Sequence, residues 1–311
     1  MPQQQRERAI VIAGPTASGK SQLALALAER LGGSIINADS MQVYRELALL
    51  TARPGASELA RVPHALYGCV SGREAYSAGR YAADAASAVA VARAAGRRPI
   101  IVGGTGLYLR ALLQGLSPVP AADPAVRAHW RQQVAARGSE ELHALLASRD
   151  PAMAARLKPS DPQRIVRALE VLDSTGRSLA DWQRQAGRPV LAAGETTPLL
   201  LLPPPASHAA AIAERFQRML GAGALEEVRQ LVALGLSPEL PIMRALGVAA
   251  LSSHLAGQQS LTAAAAAATT ATRQYAKRQM TWFRRNMISW KTFESQETES
   301  FIKEILAFID A

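Results

Sequence analysis

The segment from Gly14 to Ser21 holds the residues best suited to chemistry in this chain of 311 residues. Its G-x-x-x-x-G-K-[ST] spacing is typical of a phosphate-binding loop, in which glycines let backbone amides wrap an anion. The helix that follows points its positive N-terminal end at the same anion. A chance glycine turn is the alternative, which the strand–loop–helix context disfavours. The residues predicted to bind phosphate groups are Gly14, Pro15, Thr16, Ala17, Ser18, Gly19, Lys20 and Ser21, with Lys20 adding positive charge and the Ser21 hydroxyl able to bind Mg²⁺.

Two further polar motifs follow apolar, strand-like runs. Asp39 can bind Mg²⁺ through water or accept a proton from a nucleophile, although it could instead cap a helix. Thr105, in a Gly-Gly-Thr-Gly sequence, offers a hydroxyl, although the segment could be a plain strand-to-helix turn. Ligands of open α/β sheets bind beyond the carboxyl ends of the strands, so the three motifs predict one site.

The strand before Thr105 lacks a feature of nucleotide-hydrolysing P-loop proteins. Those proteins usually carry an apolar strand ending in an Asp that holds Mg²⁺, whereas the run 99–102 ends in glycine. The loop is therefore predicted to hold a phosphorylated group other than a nucleoside triphosphate. A small-molecule kinase that uses ATP remains the alternative.

A basic and aromatic segment, 275–285, lies near the C-terminus. On a helix, Arg278, Trp282 and Arg285 share one face, while Lys277 and Arg284 lie on an adjacent one. Cations that meet phosphates and rings that stack on bases suit single-stranded nucleic acid. The alternative is a surface helix whose aromatic residues lie in the core.

The order of elements predicts the fold. Apolar runs at 10–13, 34–38 and 99–102 alternate with helical segments, which indicates a parallel sheet covered on both faces. A return strand is expected at 197–203. We predict an α/β, P-loop NTPase-like sheet flanked by helices, formed by residues 1–119 and 197–311, with a helical domain of residues 120–196 inserted into it.

Composition limits the partners. Lys and Arg outnumber Asp and Glu by 35 to 25, which gives a net charge of +10 and favours a polyanionic partner. A single cysteine, Cys69, excludes an internal disulfide framework and a cysteine-built zinc site. Because no stretch approaches the roughly 20 apolar residues that span a bilayer, we expect a soluble, cytoplasmic protein.

The motifs together resemble those of the tRNA dimethylallyltransferase family, from about residue 9 to residue 290. The resemblance covers several separate motifs in the family's order, which makes it specific. They are GPTASGKS (14–21), DSMQVYR (39–45), TARP (51–54), YSAGRYAADA (76–85), IIVGGTGLYLRALL (100–113), DPQRIVRALEV (161–171) and RQYAKRQMTWFR (273–284).

The resemblance implies a definite reaction. The family transfers a dimethylallyl group from dimethylallyl diphosphate to N6 of adenine 37, beside the tRNA anticodon, with Mg²⁺. Lys20 and the loop would hold the diphosphate, assisted by Arg215, while Asp39 would take the proton of the amine and Thr105 would bond near the reacting centre. We expect tRNA, through its anticodon stem-loop, as partner, no membrane, and a monomer. The residues implied to contact tRNA are Asp39, Ser40, Met41, Gln42, Thr105, Arg127, Gln163, Arg164, Ile165, Val166, Arg167, Arg244, Lys277, Arg278, Gln279, Met280, Thr281, Trp282, Phe283 and Arg284.

The chain departs from the family pattern at several positions. Arg53 stands where the family usually has Lys, and a family histidine pair is reduced to His64-Ala65. Where the family has an aromatic residue and a cation after glycine, this chain has Val248 and Ala249. A non-catalytic RNA-binding protein on the same fold is a third possible interpretation, against which Lys20, Ser21, Asp39 and Thr105 all speak.

Overall fold

A six-stranded parallel sheet forms the centre of the computed structural model, which describes residues 8–294 and 298–310. The strands lie in the order β3-β2-β4-β1-β5-β6, and every neighbouring pair is parallel. The predicted α/β, P-loop-like architecture is confirmed. The strands are β1 (Ala9–Ala13), β2 (Gly33–Asn37), β3 (His64–Ala65), β4 (Arg98–Gly103), β5 (Thr196–Leu201) and β6 (Lys291–Phe293).

Strand β1 shows why the sheet is buried on both faces. Its sequence is apolar throughout, and each of its residues is buried. Alternate side chains enter opposite core layers: Val11 packs in one and Ile10 and Ile12 in the other. The two cores thus fix the register of β1 with its neighbouring strands, because a slip of one residue would move each side chain of β1 to the opposite face of the sheet.

The larger compact unit comprises the chain up to Leu113 and from Val190 onward. Short 3₁₀ turns at Ala193–Glu195 and Pro241–Arg244 join some of its elements. Helices cover both faces of its sheet. They are α1 (Lys20–Leu31), α2 (Ala56–Arg61), α3 (Ala78–Ala94), α4 (Gly106–Leu113), α10 (Pro205–Gly221), α11 (Ala224–Ala233), α12 (Val248–Leu255), α13 (Leu261–Asn286) and α14 (Thr298–Asp310).

The smaller unit, Gln114–Pro189, is helical and has its own core around Trp130, Leu142 and Leu169. Its boundaries lie six and seven residues before the expected limits of 120 and 196. Aspartates followed by proline begin three of its helices, and each carboxylate accepts a backbone N–H. Its helices are α5 (Pro124–Arg137), α6 (Ser139–Arg149), α7 (Pro151–Ala154), α8 (Pro162–Thr175) and α9 (Leu179–Gln183).

The four strands expected from apolar runs are all present, with ends shifted by at most two residues. Two edge strands, β3 and β6, were not expected: β3 has two residues, and β6 begins with exposed Lys291 and Thr292. Within the described ranges, no helix is long and apolar enough to cross a membrane.

Candidate active site

The phosphate-binding loop runs from the end of β1 to the start of α1, as its spacing predicts. Gly19, at φ 83°, adopts the left-handed conformation that favours glycine. Gly14 faces β5, and a Cβ there would lie 2.8 Å from the Leu201 carbonyl oxygen. Both glycines are therefore required by the shape of the loop.

Lys20 is buried beneath this loop, and its Nζ donates to the Pro15 carbonyl oxygen at 3.0 Å. Burial lowers the pKa of Lys20 to about 8, the Asp39 charge raises it, and the Arg215 charge lowers it further. An anion entering the loop would favour the charged form of the lysine. A bound anion would therefore stabilise the positive charge of the Lys20 ammonium, which burial alone destabilises.

Thr16 departs from the expected phosphate contact. Its N–H donates to Gln279 Oε1 at 2.9 Å, and its carbonyl oxygen accepts a bond from His208 Nε2 at 2.7 Å. The Thr16 backbone amide is therefore already used in this conformation, and the phosphate contact expected of Thr16 stays a prediction. Lys20 and the loop amides beyond Ala17 remain as candidates for the anion.

Asp39 follows β2 and is held by Asn37, a buried residue that sequence analysis did not single out. Asn37 Oδ1 accepts the Asp39 N–H at 2.8 Å, and Asn37 Nδ2 donates to the Asp39 carbonyl oxygen at 2.9 Å. Asp39 Oδ1 accepts the Met41 N–H at 2.9 Å. The helix-cap alternative is wrong, since residues 38–51 contain turns but no helix. No hydrogen bond from the residues that the structure describes reaches the second carboxylate oxygen, which can therefore accept a proton.

Thr105 joins the ends of β2 and β4. Its Oγ1 accepts the Ser40 N–H at 2.9 Å and donates to Ser40 Oγ at 3.2 Å. Tyr275, on α13, lies close to Thr105, and burial, followed by the Asp39 charge, raises the pKa of this phenol. Asp39 and Thr105 thus lie at neighbouring strand ends, as predicted, and Tyr275 is an addition that sequence analysis quoted but did not assign.

Arg215 lies half-buried on α10. Among the described residues it forms no hydrogen bond or ion pair within ordinary distances. Burial has the largest influence on its pKa and lowers it. The Asp39 charge raises the pKa, and the Arg218 charge lowers it. Its charge also acts on Lys20. The guanidinium therefore interacts electrostatically with Asp39 and Lys20, and none of the described residues pairs with it.

Two polar side chains near the site are used by the fold itself. Gln42 Nε2 donates to the carbonyl oxygens of Thr51 and Ala52, at 2.9 and 3.0 Å. Both amide hydrogens of Gln42 are thus engaged, so only its oxygen can meet a base. Arg53 Nη1 donates to the Tyr44 carbonyl oxygen at 2.9 Å, which gives this cation a role in holding the turn.

Helix α13 divides the predicted RNA-binding residues into two groups. Phe283 is fully buried and Gln279 is 6% exposed, which disfavours an RNA contact through either side chain, and their expected RNA contacts stay predictions. The Trp282 ring packs against Gly106, which leaves no room for a Cβ there, and Met280 is half-buried. The core alternative therefore holds for Phe283. The exposed residues of the segment are Lys277, Arg278, Thr281, Arg284 and Arg285.

The helical unit shows a similar division. Ile165 and Val166 are buried in its core, which disfavours an RNA contact through these side chains, and their expected RNA contacts also stay predictions. Arg127 and Arg167 both approach buried Glu170, at 4.0 and 3.6 Å. The exposed members are Gln163 and Arg164, and Arg244 is exposed in the larger unit.

Comparisons with known proteins agree on one family. A family model described as IPP transferase matches residues 42–286. A Parvibaculum lavamentivorans protein named tRNA dimethylallyltransferase is 54% identical over 303 residues, which cover 97% of this chain and 96% of that protein. A relative of the same name from Chelativorans is 52% identical over 279 residues, 90% of this chain and 96% of that protein.

Solved structures give the same result. The full-length tRNA isopentenylpyrophosphate transferase of Bacillus halodurans has a TM-score of 0.67 and 29% identity, covering 98% of this chain and 97% of its own. A eukaryotic dimethylallyltransferase acting on tRNA has a TM-score of 0.79 and 26% identity, covering 96% of this chain and 77% of its own. The chain, whose loop, Asp39 and Thr105 lie at one edge of the sheet, belongs to the IPP transferase family.

Proposed function

We propose that this chain is a tRNA dimethylallyltransferase that alkylates N6 of adenine 37, next to the anticodon, with dimethylallyl diphosphate as donor. The observation that carries the proposal is that an anion-binding loop after β1 and a carboxylate after β2 lie at the same carboxyl end of the sheet, on either side of β4, and that no described residue bonds to the second oxygen of that carboxylate. The relatives' names agree with this chemistry. tRNA also accounts for the net charge of +10 and for the exposed cations of α13.

The reaction requires stabilisation of the negative charge on the leaving diphosphate and removal of a proton from the attacking amine. As the adenine amine attacks, the bond from N6 to the first carbon of the dimethylallyl group forms, and the bond from that carbon to the diphosphate oxygen breaks. Lys20, Arg215 and the loop amides stabilise the charge that collects on the leaving diphosphate. Asp39 accepts the proton that the amine loses. Thr105 holds Ser40, the residue that follows Asp39, in place.

Mg²⁺ fits this site as an ion held mostly by the substrate. Across the described ranges no three His, Cys, Asp or Glu side chains group as metal ligands. The exposed Ser21 hydroxyl at the end of the loop would supply one ligand, and phosphate oxygens and water the others. When bound, the ion would neutralise part of the diphosphate charge.

The tRNA substrate would bind through its anticodon stem-loop. Lys277, Arg278 and Arg284 would meet its phosphates, and Gln163 and Arg164 on the helical unit would add contacts. Adenine 37 would have to leave its stack to reach Asp39. We further propose that the protein acts as a monomer in the cytoplasm.

Mass spectrometry of tRNA nucleosides tests the function directly. Unmodified tRNA incubated with the protein, Mg²⁺ and dimethylallyl diphosphate should yield N6-isopentenyladenosine, and omission of any one component should abolish it. The same samples, supplied with ATP in place of the prenyl donor, test the kinase alternative. ATP consumption that needs no tRNA, without any prenylated nucleoside, would overturn the proposal.

Binding of inorganic diphosphate should weaken as the pH rises through about 8. Lys20 is charged below its pKa and neutral above it, so the attraction to an anion is present at low pH and is lost at high pH. We expect the affinity to fall towards about tenfold per pH unit beyond that point. Calorimetry in metal-free buffer between about pH 7 and about pH 9.5 measures it.

Lys20→Met is the control for this titration, because the ligand's own protonation affects both proteins equally. The difference between the two curves should show a single step near the lysine pKa. Parallel curves would contradict the assignment of that step to Lys20.

A further inference from the structure

The backbone of Thr16, in the phosphate-binding loop, is clamped at its N–H and at its carbonyl oxygen by side chains that are distant in sequence. Gln279 on α13 accepts its N–H, and His208 on α10 donates to its carbonyl oxygen. Gln279 is 6% exposed and His208 is 2% exposed, so both bonds lie in a region with little competition from water. The proposed reaction uses neither side chain.

The Gln279 amide is fully used by this arrangement. Its Oε1 accepts the Thr16 N–H at 2.9 Å, while its Nε2 donates to the Gly104 carbonyl oxygen at 2.8 Å. The two partners fix the orientation of the amide, since one needs an acceptor and the other a donor. A carboxylate at this position could satisfy only the first partner. Gln279 therefore ties the loop after β1 to the loop after β4.

The clamp at Thr16 stabilises an unusual backbone conformation at the next residue, Ala17. Ala17 has φ 59°, a left-handed conformation that costs a residue with a Cβ roughly 1–2 kcal/mol. Such a conformation persists only where its surroundings determine it. Fixing both backbone polar groups of Thr16 supplies that constraint. The direction of the loop backbone that follows Ala17 is thereby set.

We propose that Gln279 and His208 are positioning residues that hold the phosphate-binding loop in its anion-accepting shape before the diphosphate arrives. They touch the loop backbone and act on the ligand only through it. The inference rests on the proposed function for the identity of the donor, but not for the presence of an anion site. It also assigns Gln279 to the diphosphate rather than to the RNA, although its neighbours Lys277 and Arg278 are exposed.

Binding of inorganic diphosphate with Mg²⁺, followed by calorimetry, tests the inference without any transfer reaction. Gln279→Met keeps the length of the side chain and removes both hydrogen bonds. We expect it to weaken diphosphate binding by about tenfold, the equivalent of one hydrogen bond, while the KM for tRNA stays within about twofold. Gln279→Glu should weaken binding at least as much, because its charge opposes the Gly104 carbonyl oxygen and the anion.

Lys277→Ala is the matched control on the same helix. Its exposed cation is on the proposed RNA surface, so this variant should raise the KM for tRNA and leave the Kd for diphosphate unchanged. If the substitutions only disturbed the folding of α13, both the KM for tRNA and the Kd for diphosphate would change in Gln279→Met and in Lys277→Ala.

A pair of variants at His208 keeps the test decisive if Gln279→Met does not fold. His208→Gln retains an N–H donor at similar reach, whereas His208→Leu removes it. Weakened diphosphate binding in the leucine variant, with recovery in the glutamine variant, supports the inference. Equal binding in these two variants overturns it, as does binding within about twofold of the unmodified protein in Gln279→Met.

The outcomes separate this inference from the proposed function. A protein that binds diphosphate in a manner dependent on Gln279, but prenylates no tRNA, would leave the inference standing and overturn the function. A protein that prenylates tRNA equally well with Met at 279 would do the reverse.

Discussion

Asp39→Asn is expected to lower the rate of dimethylallyl transfer by about 10²- to 10⁴-fold, the usual contribution of a general base. Asparagine retains an oxygen to accept the Met41 N–H, so the turn after β2 should keep its shape. It cannot take the proton from the amine. Single-turnover rates at saturating donor measure the loss, and the Kd for tRNA should change by less than about threefold, because the substitution removes no cation that could bind phosphate.

Asp150→Asn provides the control for this change. Asp150 likewise accepts a backbone N–H, from Met153 at 3.0 Å, but lies in the helical unit outside every predicted contact. Its substitution should leave the transfer rate unchanged. A near-normal rate in Asp39→Asn would show that the proton leaves by another route, and the assignment of the base would have to be abandoned.

Much of the site could be predicted because its residues are adjacent in sequence to a strong local signal. An apolar run followed by Gly14 to Ser21 predicts strand, loop and helix together, and the structure has all three. Asp39 and Thr105 were found in the same way, since each follows a buried strand. In a parallel sheet the carboxyl ends of the strands meet at one edge, so topology alone brings these residues together.

Residues that act across long sequence separations were harder to predict. Gln279 contacts Thr16 over 263 positions, and nothing in the local pattern of α13 distinguishes it from its exposed neighbours. Asn37 did carry a signal, because a polar residue inside a buried strand needs a partner. That partner is the backbone of Asp39, two residues further along.

The basic and aromatic segment shows what composition leaves undetermined. Basic residues and aromatic rings suit both an RNA surface and an amphipathic helix packed on a core. In the structure the two interpretations apply to different residues, with Phe283 in the core and Arg284 exposed beside it. Which residue faces inward depends on the rotation of the helix, and long-range packing sets that rotation. The same holds for Ile165 and Arg164 in the helical unit.

Gly103→Ala should have the largest effect on stability, with a loss of more than about 4 kcal/mol in the free energy of unfolding. A Cβ at this position would overlap the carbonyl group of Ala38 and lie 2.7 Å from its Cα. Both strands are buried, and the obstacle is backbone, so no side chain can move aside. Urea denaturation, with the slope compared between proteins, measures the loss.

Gly221→Ala is the matched control, because no atom lies within 4 Å of a Cβ built there at the end of α10. That variant should be as stable as the unmodified protein, or about 0.5–1 kcal/mol more stable. If Gly103→Ala folds at all, the ends of β2 and β4 must move apart where Thr105 contacts Ser40. Dimethylallyl transfer should then be lost even at urea concentrations at which the variant is still folded. A variant with both stability and transfer rate near normal would mean that the two strand ends can shift without cost, and that the contact between Ser40 and Thr105 does not set the geometry of the site.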